Sequence, residues 1–220
     1  STGIVDEESE DLAVNGRIVS VFGNMVIAEI NGRVVQNSVG YCCRSDGARL
    51  LSEVIRVRGQ RADLQVFEET RGLRVGDPVE IEDAMLSVVL GPGLLGEVYD
   101  GLQNPLWELA KEAGFFLKPG TYIRALATDR RWEFTPTAAA GATVEAGGAL
   151  GWVPEGIFQH QIMVPFSWPG RFTVVSVVPA GKYTIDQEIA VLRDGDGGTH
   201  SVTMHQSWPV KVPLNVSRQR

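Results

Sequence analysis

From Gly16 onward, apolar and polar residues alternate over short runs, and most runs end in a turn-forming pair. The clearest case is Arg61-Ala62-Asp63-Leu64-Gln65-Val66, whose period of two puts Ala62, Leu64 and Val66 on one face and predicts a strand with one wet side. Arg17–Phe22, Met25–Ile30, Arg33–Val35, Val39–Cys43, Ala48–Val57 and Arg61–Phe67 are the strand candidates. Asn31-Gly32 and Asp46-Gly47 read as two-residue hairpin signals, because the tight primed turn needs positive φ at both central positions. Arg58-Gly59-Gln60 is a looser third. No helical pattern interrupts these strands, so residues 14–90 are expected to form a small closed β-barrel, in which closure removes exposed edges. Val79–Ile81 and Leu86–Leu90 are candidates for the closing strands. Residues 1–13, with the acidic run Asp6 to Asp11, show no periodicity and are expected to be a flexible acidic arm.

The alternation breaks over the junction at residues 91–105. Leu90 to Leu106 reads Leu-Gly-Pro-Gly-Leu-Leu-Gly-Glu-Val-Tyr-Asp-Gly-Leu-Gln-Asn-Pro-Leu. Gly91-x-Gly93-x-x-Gly96 matches a dinucleotide fingerprint behind a possible strand, Ser87-Val88-Val89-Leu90. That motif must open directly into a long helix, and here Pro92 removes a donor while Gly101 and Pro105 follow too soon. A helix does fit farther on. Asn104 can cap it, Pro105 suits its first turn, and Gly114 can end it. Leu106, Leu109, Ala110 and Ala113 share a face that is expected to pack on a sheet, since it is too short for a membrane anchor.

Residues 106–213 return to β structure after this helix. Gly141 to Val153 resembles the first half of a biotinyl- or lipoyl-type barrel-sandwich, and Phe172–Val178, Gly181-Lys182-Tyr183 and Glu188–Leu192 resemble the second. Gly147-Gly148 and Gly181 are the expected sites of tight bends. A carrier of that type needs a modifiable lysine at an exposed tip between the halves. The connection Pro154–Gly170 contains none, and Lys182 lies inside the second half.

Composition narrows the function classes. Across 220 residues the net charge is −7, hydrophobic residues make up 44% and charged residues 21%, the balance of an ordinary globular chain with no field that draws in nucleic acid or anionic lipid. No apolar run approaches the ~18 residues of a membrane span, so direct insertion is not expected. Cys42 and Cys43 are adjacent in a strand candidate and so face opposite ways, one inward and one outward, which disfavours a mutual disulfide or a shared metal. His200 and His205 also face opposite sides, and His160 sits in an apolar stretch, so no metal site is expected. Asp194-Gly195-Asp196-Gly197-Gly198 begins like a calcium loop, but its twelfth position is His205; a hairpin between Ile189–Arg193 and Thr199–Met204 explains it. Glu68 and Glu69, beside Arg71 and Arg74, read as a solvated, charge-balanced loop. Asn215-Val216-Ser217 matches a glycosylation acceptor, which matters only in a secreted chain. No catalytic, cofactor-binding or metal residue is assigned.

Leu-Gly-Pro-Gly-Leu-Leu followed by Tyr-Asp-Gly-Leu-Gln-x-Pro-Leu resembles the signature that precedes the nucleotide-binding domain in the catalytic A subunit (alpha chain) of V/A-type ion-translocating ATPases and ATP synthases. Gln65 to Leu73, Gly76-Asp77-Pro78-Val79, Gly151-Trp152-Val153-Pro154-Glu155 and Trp208 to Pro213 agree in order. Many members of the family have a basic residue where this chain has Asn104, so a role for that charge does not carry over. The resemblance implies a parent that couples ATP hydrolysis or synthesis to proton or sodium movement. It further implies a barrel that joins B subunits in a collar, an extension that bulges outward near the peripheral stalk, and a cytoplasmic location peripheral to the membrane. The phosphate loop Gly-x-x-x-x-Gly-Lys-Ser/Thr occurs nowhere; the only Gly-Lys pair, Gly181-Lys182, precedes Tyr183 and has Ser176 where the first glycine belongs. In the family that loop follows the Trp-Pro-Val segment, so Mg-ATP belongs to the complete subunit, and residues 214–220 would lead toward the missing domain. No cofactor is expected in this chain, and by itself it is expected to be monomeric. A stand-alone β-rich interaction module and a carrier domain are the alternatives.

Overall fold

The computed structural model describes residues 14–113 and 119–213. The expected acidic arm, the Gly114 helix stop, residues 214–220 and the Asn215 acceptor therefore lie outside the described residues. The chain divides into two compact units, one of residues up to Leu86 together with Ala113–Tyr122, the other of Ser87–Glu112 together with the residues from Ile123 onward.

The first unit is a closed antiparallel barrel, as expected. Its strands are β1 (Val14–Phe22), β2 (Met25–Asn31), β3 (Ser38–Cys43), β4 (Arg49–Arg58), β5 (Arg61–Val66) and β6 (Pro78–Met85), in the order β1-β2-β5-β4-β3-β6. Alternation supplies the interior: Val26, Ala28 and Ile30 from β2 meet Ala62, Leu64 and Val66 from β5, with Ile18, Leu50, Val54, Val79 and Ile81 completing the core. Each fully buried Leu or Ile contributes roughly 1.5–3 kcal/mol over its exposed state. Gly16 is required by closeness, because a Cβ there would stand 2.6 Å from the Glu29 carbonyl oxygen on the paired strand.

Four expectations fail here, three of them for a topological reason. Asn31-Gly32 is not a hairpin, since β2 pairs with β1 and β5 while β3 pairs with β4 and β6. The Arg33–Val35 candidate is part of the irregular connection between them. The tight turn is instead Gly23-Asn24, which joins the paired Phe22 and Met25 with Gly23 at φ 59°. Leu86–Leu90 does not close the barrel, because β6 is long enough to bridge β1 and β3 alone. Nor is the outer face of β5 fully wet: Asp63 is 9% exposed and accepts from the Arg58 guanidinium at 2.7 Å. Asp46-Gly47 and Arg58-Gly59-Gln60 do turn hairpins, β3 into β4 and β4 into β5.

The second unit contains the barrel-sandwich and, as far as Glu112, the helix α1 (Leu106–Ala113). Strand β7 (Ser87–Leu90) pairs with β16 (Gln206–Pro209). The sandwich strands are β8 (Arg131–Pro136), β9 (Thr143–Glu145), β10 (Ala149–Glu155), β11 (Phe158–Met163), β12 (Arg171–Val177), β13 (Gly181–Thr184), β14 (Ala190–Arg193) and β15 (Thr199–Val202). They form two sheets of order β11-β10-β8-β13 and β15-β14-β12-β9. Phe134, Leu150, Val153, Ile162, Phe172, Ile185, Ile189 and Leu192 fill the space between. Gly151 is where that core needs no side chain at all, for a Cβ would enter the Phe134 ring and stand 2.6 Å from the Thr135 carbonyl oxygen.

Gly147 makes the expected bend with φ 78°, whereas Gly181 opens β13 opposite Phe134 outside the left-handed region. The apolar stripe of α1 is not buried as a stripe. Leu109 is 5% exposed, but Leu106 and Ala110 are exposed, and Trp107 on the same helix is 69% exposed.

Candidate functional site

The Gly91–Gly96 loop has amides aimed at an anion, and the anion is the protein's own. Glu155, at the end of β10, is 5% exposed, and its Oε1 accepts from the Gly93 N–H at 2.6 Å and the Leu95 N–H at 3.1 Å. Its Oε2 meets Nδ1 of His160 on β11 at 2.6 Å. Gly93 at φ 106° and Gly96 at φ 85° supply the backbone conformations the loop needs. Gly91 lets the chain pass closely, since a Cβ there would come within 3.0 Å of both His205 Cβ and Leu126 Cδ1. A buried carboxylate is tolerated only with such donors. The fingerprint-like glycines thus fasten a loop to β10.

The rest of the signature is a polar knot. Asp100 Oδ1 accepts from the N–H groups of Leu102 and Asn104 at 2.9 and 2.8 Å, and its Oδ2 accepts from Asn104 Nδ2 at 2.9 Å. Gln103, at φ 62°, imitates a strand: its Oε1 accepts from Val89 N–H and its Nε2 donates to Val89 O, both at 2.8 Å. Asn104 is 3% exposed, and its Oδ1 accepts from Ile123 N–H at 2.8 Å. The expected helix-capping oxygen is therefore used elsewhere. Tyr99 donates to the Ala125 carbonyl at 3.0 Å, and burial pushes its pKa up, helped by the carboxylates of Glu97 and Glu155.

The other candidates do not converge. Cys42 is buried and Cys43 half-buried, both free, as adjacency on a strand requires. Burial pushes the Cys42 thiol up to about 11, which makes it a poor nucleophile. His160, His200 and His205 each face a different carboxylate, of Glu155, Asp194 and Asp186. Among the described residues no three His, Cys, Asp or Glu side chains are grouped to hold a metal. Asp194 turns its hairpin by accepting from the N–H groups of Asp196 and Gly198 at 3.0 and 2.7 Å, and the His200 hydrogen bond holds its pKa low. Glu69 pairs with Arg71 at 3.1 Å as a solvated loop pair, and Arg74 is held by its N–H to Asp77. Glu68 departs from that reading. It accepts from Gly120 N–H at 2.8 Å and from the Tyr122 hydroxyl, which itself accepts from Leu51 N–H at 2.7 Å. Burial and then the Glu68 hydrogen bond raise the Tyr122 pKa.

Lys182 lies within β13, opposite Glu133, and the Pro154–Gly170 connection contains strand β11. Neither offers the lysine-bearing tip of a carrier. Sequence reasoning missed Glu155, Asp100, Gln103 and Tyr122 as organising residues. For Glu155 the signal lies in the fold, since its partner Gly93 is 62 positions away.

Residues 11–82 match the model of the ATP synthase alpha/beta family, beta-barrel domain, and residues 123–211 match the ATP synthase alpha/beta subunit barrel-sandwich domain. The V-type ATP synthase alpha chain of Borrelia garinii subsp. bavariensis is 48% identical over 95% of this chain and 36% of its own length. The proteins of the same name from Borreliella afzelii and Treponema denticola are 50% and 48% identical over 93% of this chain and 36% and 35% of theirs. The chain spans about a third of the length of these relatives.

Proposed function

Because the chain belongs to the family of V-type ATP synthase alpha chains, of which it carries the N-terminal barrel and the barrel-sandwich extension, we propose that it is the assembly region of an ATPase head subunit. The complete subunit binds Mg-ATP and couples its hydrolysis or synthesis to proton or sodium transport. These residues offer their surfaces to B subunits and to the peripheral stalk, on the cytoplasmic side and peripheral to the membrane. The carrying observation is identity near 48% across nearly the whole chain, with both domain models matched in order. The structure adds physical support: the signature's polar side chains are consumed by internal hydrogen bonds, a scaffold's use of them. Among the described residues no helix is long and apolar enough to cross a membrane.

ATP turnover needs a glycine loop around the phosphates, a neutralising lysine and a Mg²⁺ ligand. The proposal therefore expects no saturable heat when Mg-ATP is titrated into residues 1–220, and binding once the chain is extended as in its relatives. It also expects a monomer in sedimentation, with assembly appearing only when B-type subunits join the extended chain. Micromolar ATP binding by residues 1–220, or a stable hexamer of this chain alone, would overturn it.

A further inference from the structure

The second unit leaves an apolar stripe open to solvent where the signature runs into α1. Residues 98–106 fold back on themselves around Gly101–Gln103: Asp100 N–H donates to the Asn104 carbonyl at 3.0 Å, Tyr99 bridges to Pro105, and Leu106 N–H donates to the Val98 carbonyl at 2.9 Å. That antiparallel register sets Val98 directly opposite Leu106, and side chains directly opposite each other share one face. Ala110 stands one helical turn beyond Leu106, and Trp107 lies on the neighbouring line of the helix. Val98, Leu106 and Trp107 are 66%, 43% and 69% exposed, and Ala110 is exposed with them. Single apolar side chains are ordinary on a surface, but a group drawn together by strand register and helical spacing marks an interaction surface.

The polar margin of this patch is already satisfied. Glu108 and Lys111 pair with each other at 2.9 Å, and Lys111 Nζ sits 5.5 Å from the Trp107 ring centroid. An aromatic side chain among aliphatic ones, with paired charges at the edge, is the make-up of a polypeptide interface.

The way out of the unit starts beside it. β16 pairs with one edge of β7, with Pro209 opposite Ser87. Gln103 takes both the N–H and the carbonyl of Val89 and therefore lies along the other edge of β7. At the usual strand spacing, the chain leaving Pro209 sets out roughly 10–15 Å from the turn that carries Val98 and Leu106. Val210 and Val212, on the way out, are exposed apolar residues as well. This chain covers 36% of the length of the Borrelia garinii relative, so the complete subunit has a domain-sized remainder to seat.

We propose that Val98, Leu106, Trp107 and Ala110 form the docking face for that remainder of the subunit's own chain, with Trp107 as the anchor. The remainder presents an apolar surface there, and the contact fixes the second unit against it. This inference rests on the assembly reading above, in which the nucleotide-binding part follows these residues.

Hydroxyl-radical footprinting read by mass spectrometry tests the docking face, with an added dosimeter to equalise the radical dose. Leu106 and Trp107 are followed in the 220-residue chain and in a chain extended as in its relatives. In the shorter chain both should oxidise as open side chains do, whatever the protein concentration. In the extended chain the Trp107 rate should fall about fivefold, as an open indole becomes a desolvated anchor, and the Leu106 rate should fall with it. Leu106→Glu should leave the melting temperature of the 220-residue chain unchanged, and in the extended chain it should restore Trp107 oxidation. Mg-ATP binding by the extended chain, measured on the same samples, reports the assembly reading separately. An extended chain that binds Mg-ATP while Trp107 oxidises as before would overturn the docking face and leave the assembly reading standing. Protection that arises in the 220-residue chain at high concentration would assign the patch to a second copy, and protection that requires an added B-type subunit would assign it to that partner; either result overturns the proposal. An extended chain that does not bind Mg-ATP would remove the reading on which it rests.

Discussion

The barrel and the sandwich unit solve the same problem with different materials. In the barrel, six strands close on themselves around an apolar core supplied by alternate positions of β2, β5 and their neighbours, with Ser38, Ser52, Glu53 and Asp63 also buried on its strands. In the sandwich unit, two four-stranded sheets enclose a core of comparable character, but the chain leading into them is fastened by Glu155, Asp100, Gln103 and Asn104. Burying those groups costs solvation and is favourable only when every donor and acceptor is met. The barrel is thus tolerant of which apolar residue stands where, but not at Gly16 or at its buried Ser52 and Asp63. The sandwich unit is intolerant at Gly151 and at the polar groups that fasten the chain entering it.

This contrast is testable first in the apolar core, where the largest loss is expected. Leu64 is fully buried in the barrel, and Leu64→Ala should cost about 2–5 kcal/mol by lost burial plus the cavity left behind. Scanning calorimetry should show the barrel transition moving down while the sandwich transition holds. A uniform shift of both would mean that the units do not unfold separately and would remove the basis for comparing them.

Gly151→Ala probes the sandwich's least forgiving point. The added methyl enters the Phe134 ring and crowds the Thr135 carbonyl, so overpacking should cost about 1–3 kcal/mol or more. Here the sandwich transition alone should fall. Tolerance of Gly151→Val would show that the Phe134 ring and the neighbouring strand β8 can move aside, and would weaken the claim of intolerance.

Glu155→Ala should cost about 1–3 kcal/mol by leaving the Gly93 and Leu95 amides without their acceptor. Hydrogen exchange at those two amides is the sharper readout, because a role in loop fastening predicts faster exchange there while β12 and β14 keep their protection. If exchange at Gly93 and Leu95 were unchanged, the carboxylate would not be what holds the loop.

The same contrast explains what could be read in advance. Alternation in Arg61–Val66 and turn residues at Asp46-Gly47 and Gly59 carry their information within a few positions, so the barrel and most of its strands were legible. The Asn31-Gly32 pair misled because turn chemistry says that the chain can turn, not which strand it pairs with next. Strand β3 joins β4 and β6, a choice made by closure across the barrel. Likewise Leu86–Leu90 looked like one more barrel strand, while Ser87–Leu90 pairs with Gln206–Pro209, more than a hundred positions away. The signature was recognisable as a string, yet the work of its Gln103 and Asn104 became visible only with their partners Val89 and Ile123 in place. Glu68 shows the limit most plainly, since its neighbours in sequence suggested a solvated pair and its real partners, Gly120 and Tyr122, come from beyond the helix.

The smallest expected effect concerns how the apolar barrel responds to alkali. Cys42 is fully buried between strands, and its thiol is raised from 9.0 to about 11 because burial disfavours the thiolate. A folded-state pKa above the unfolded value means that the contribution is intact below pH 9.0 and is lost as pH rises toward about 11, where the unfolded chain releases the proton first. Cys43, Tyr41 and Tyr122 are raised in the same unit and act in the same direction, so wild-type barrel stability should decline across this window. Cys42→Ala isolates the share of Cys42. It should lower stability near neutral pH by about 1 kcal/mol through lost packing, and it should also flatten the decline between pH 9.0 and about 11 by removing one of the groups that drive it. Urea melts of both proteins across that range measure the slopes directly. Parallel slopes would mean that Cys42 is solvated more than its place in the core allows, and that the barrel interior is less dry than its alternation implies.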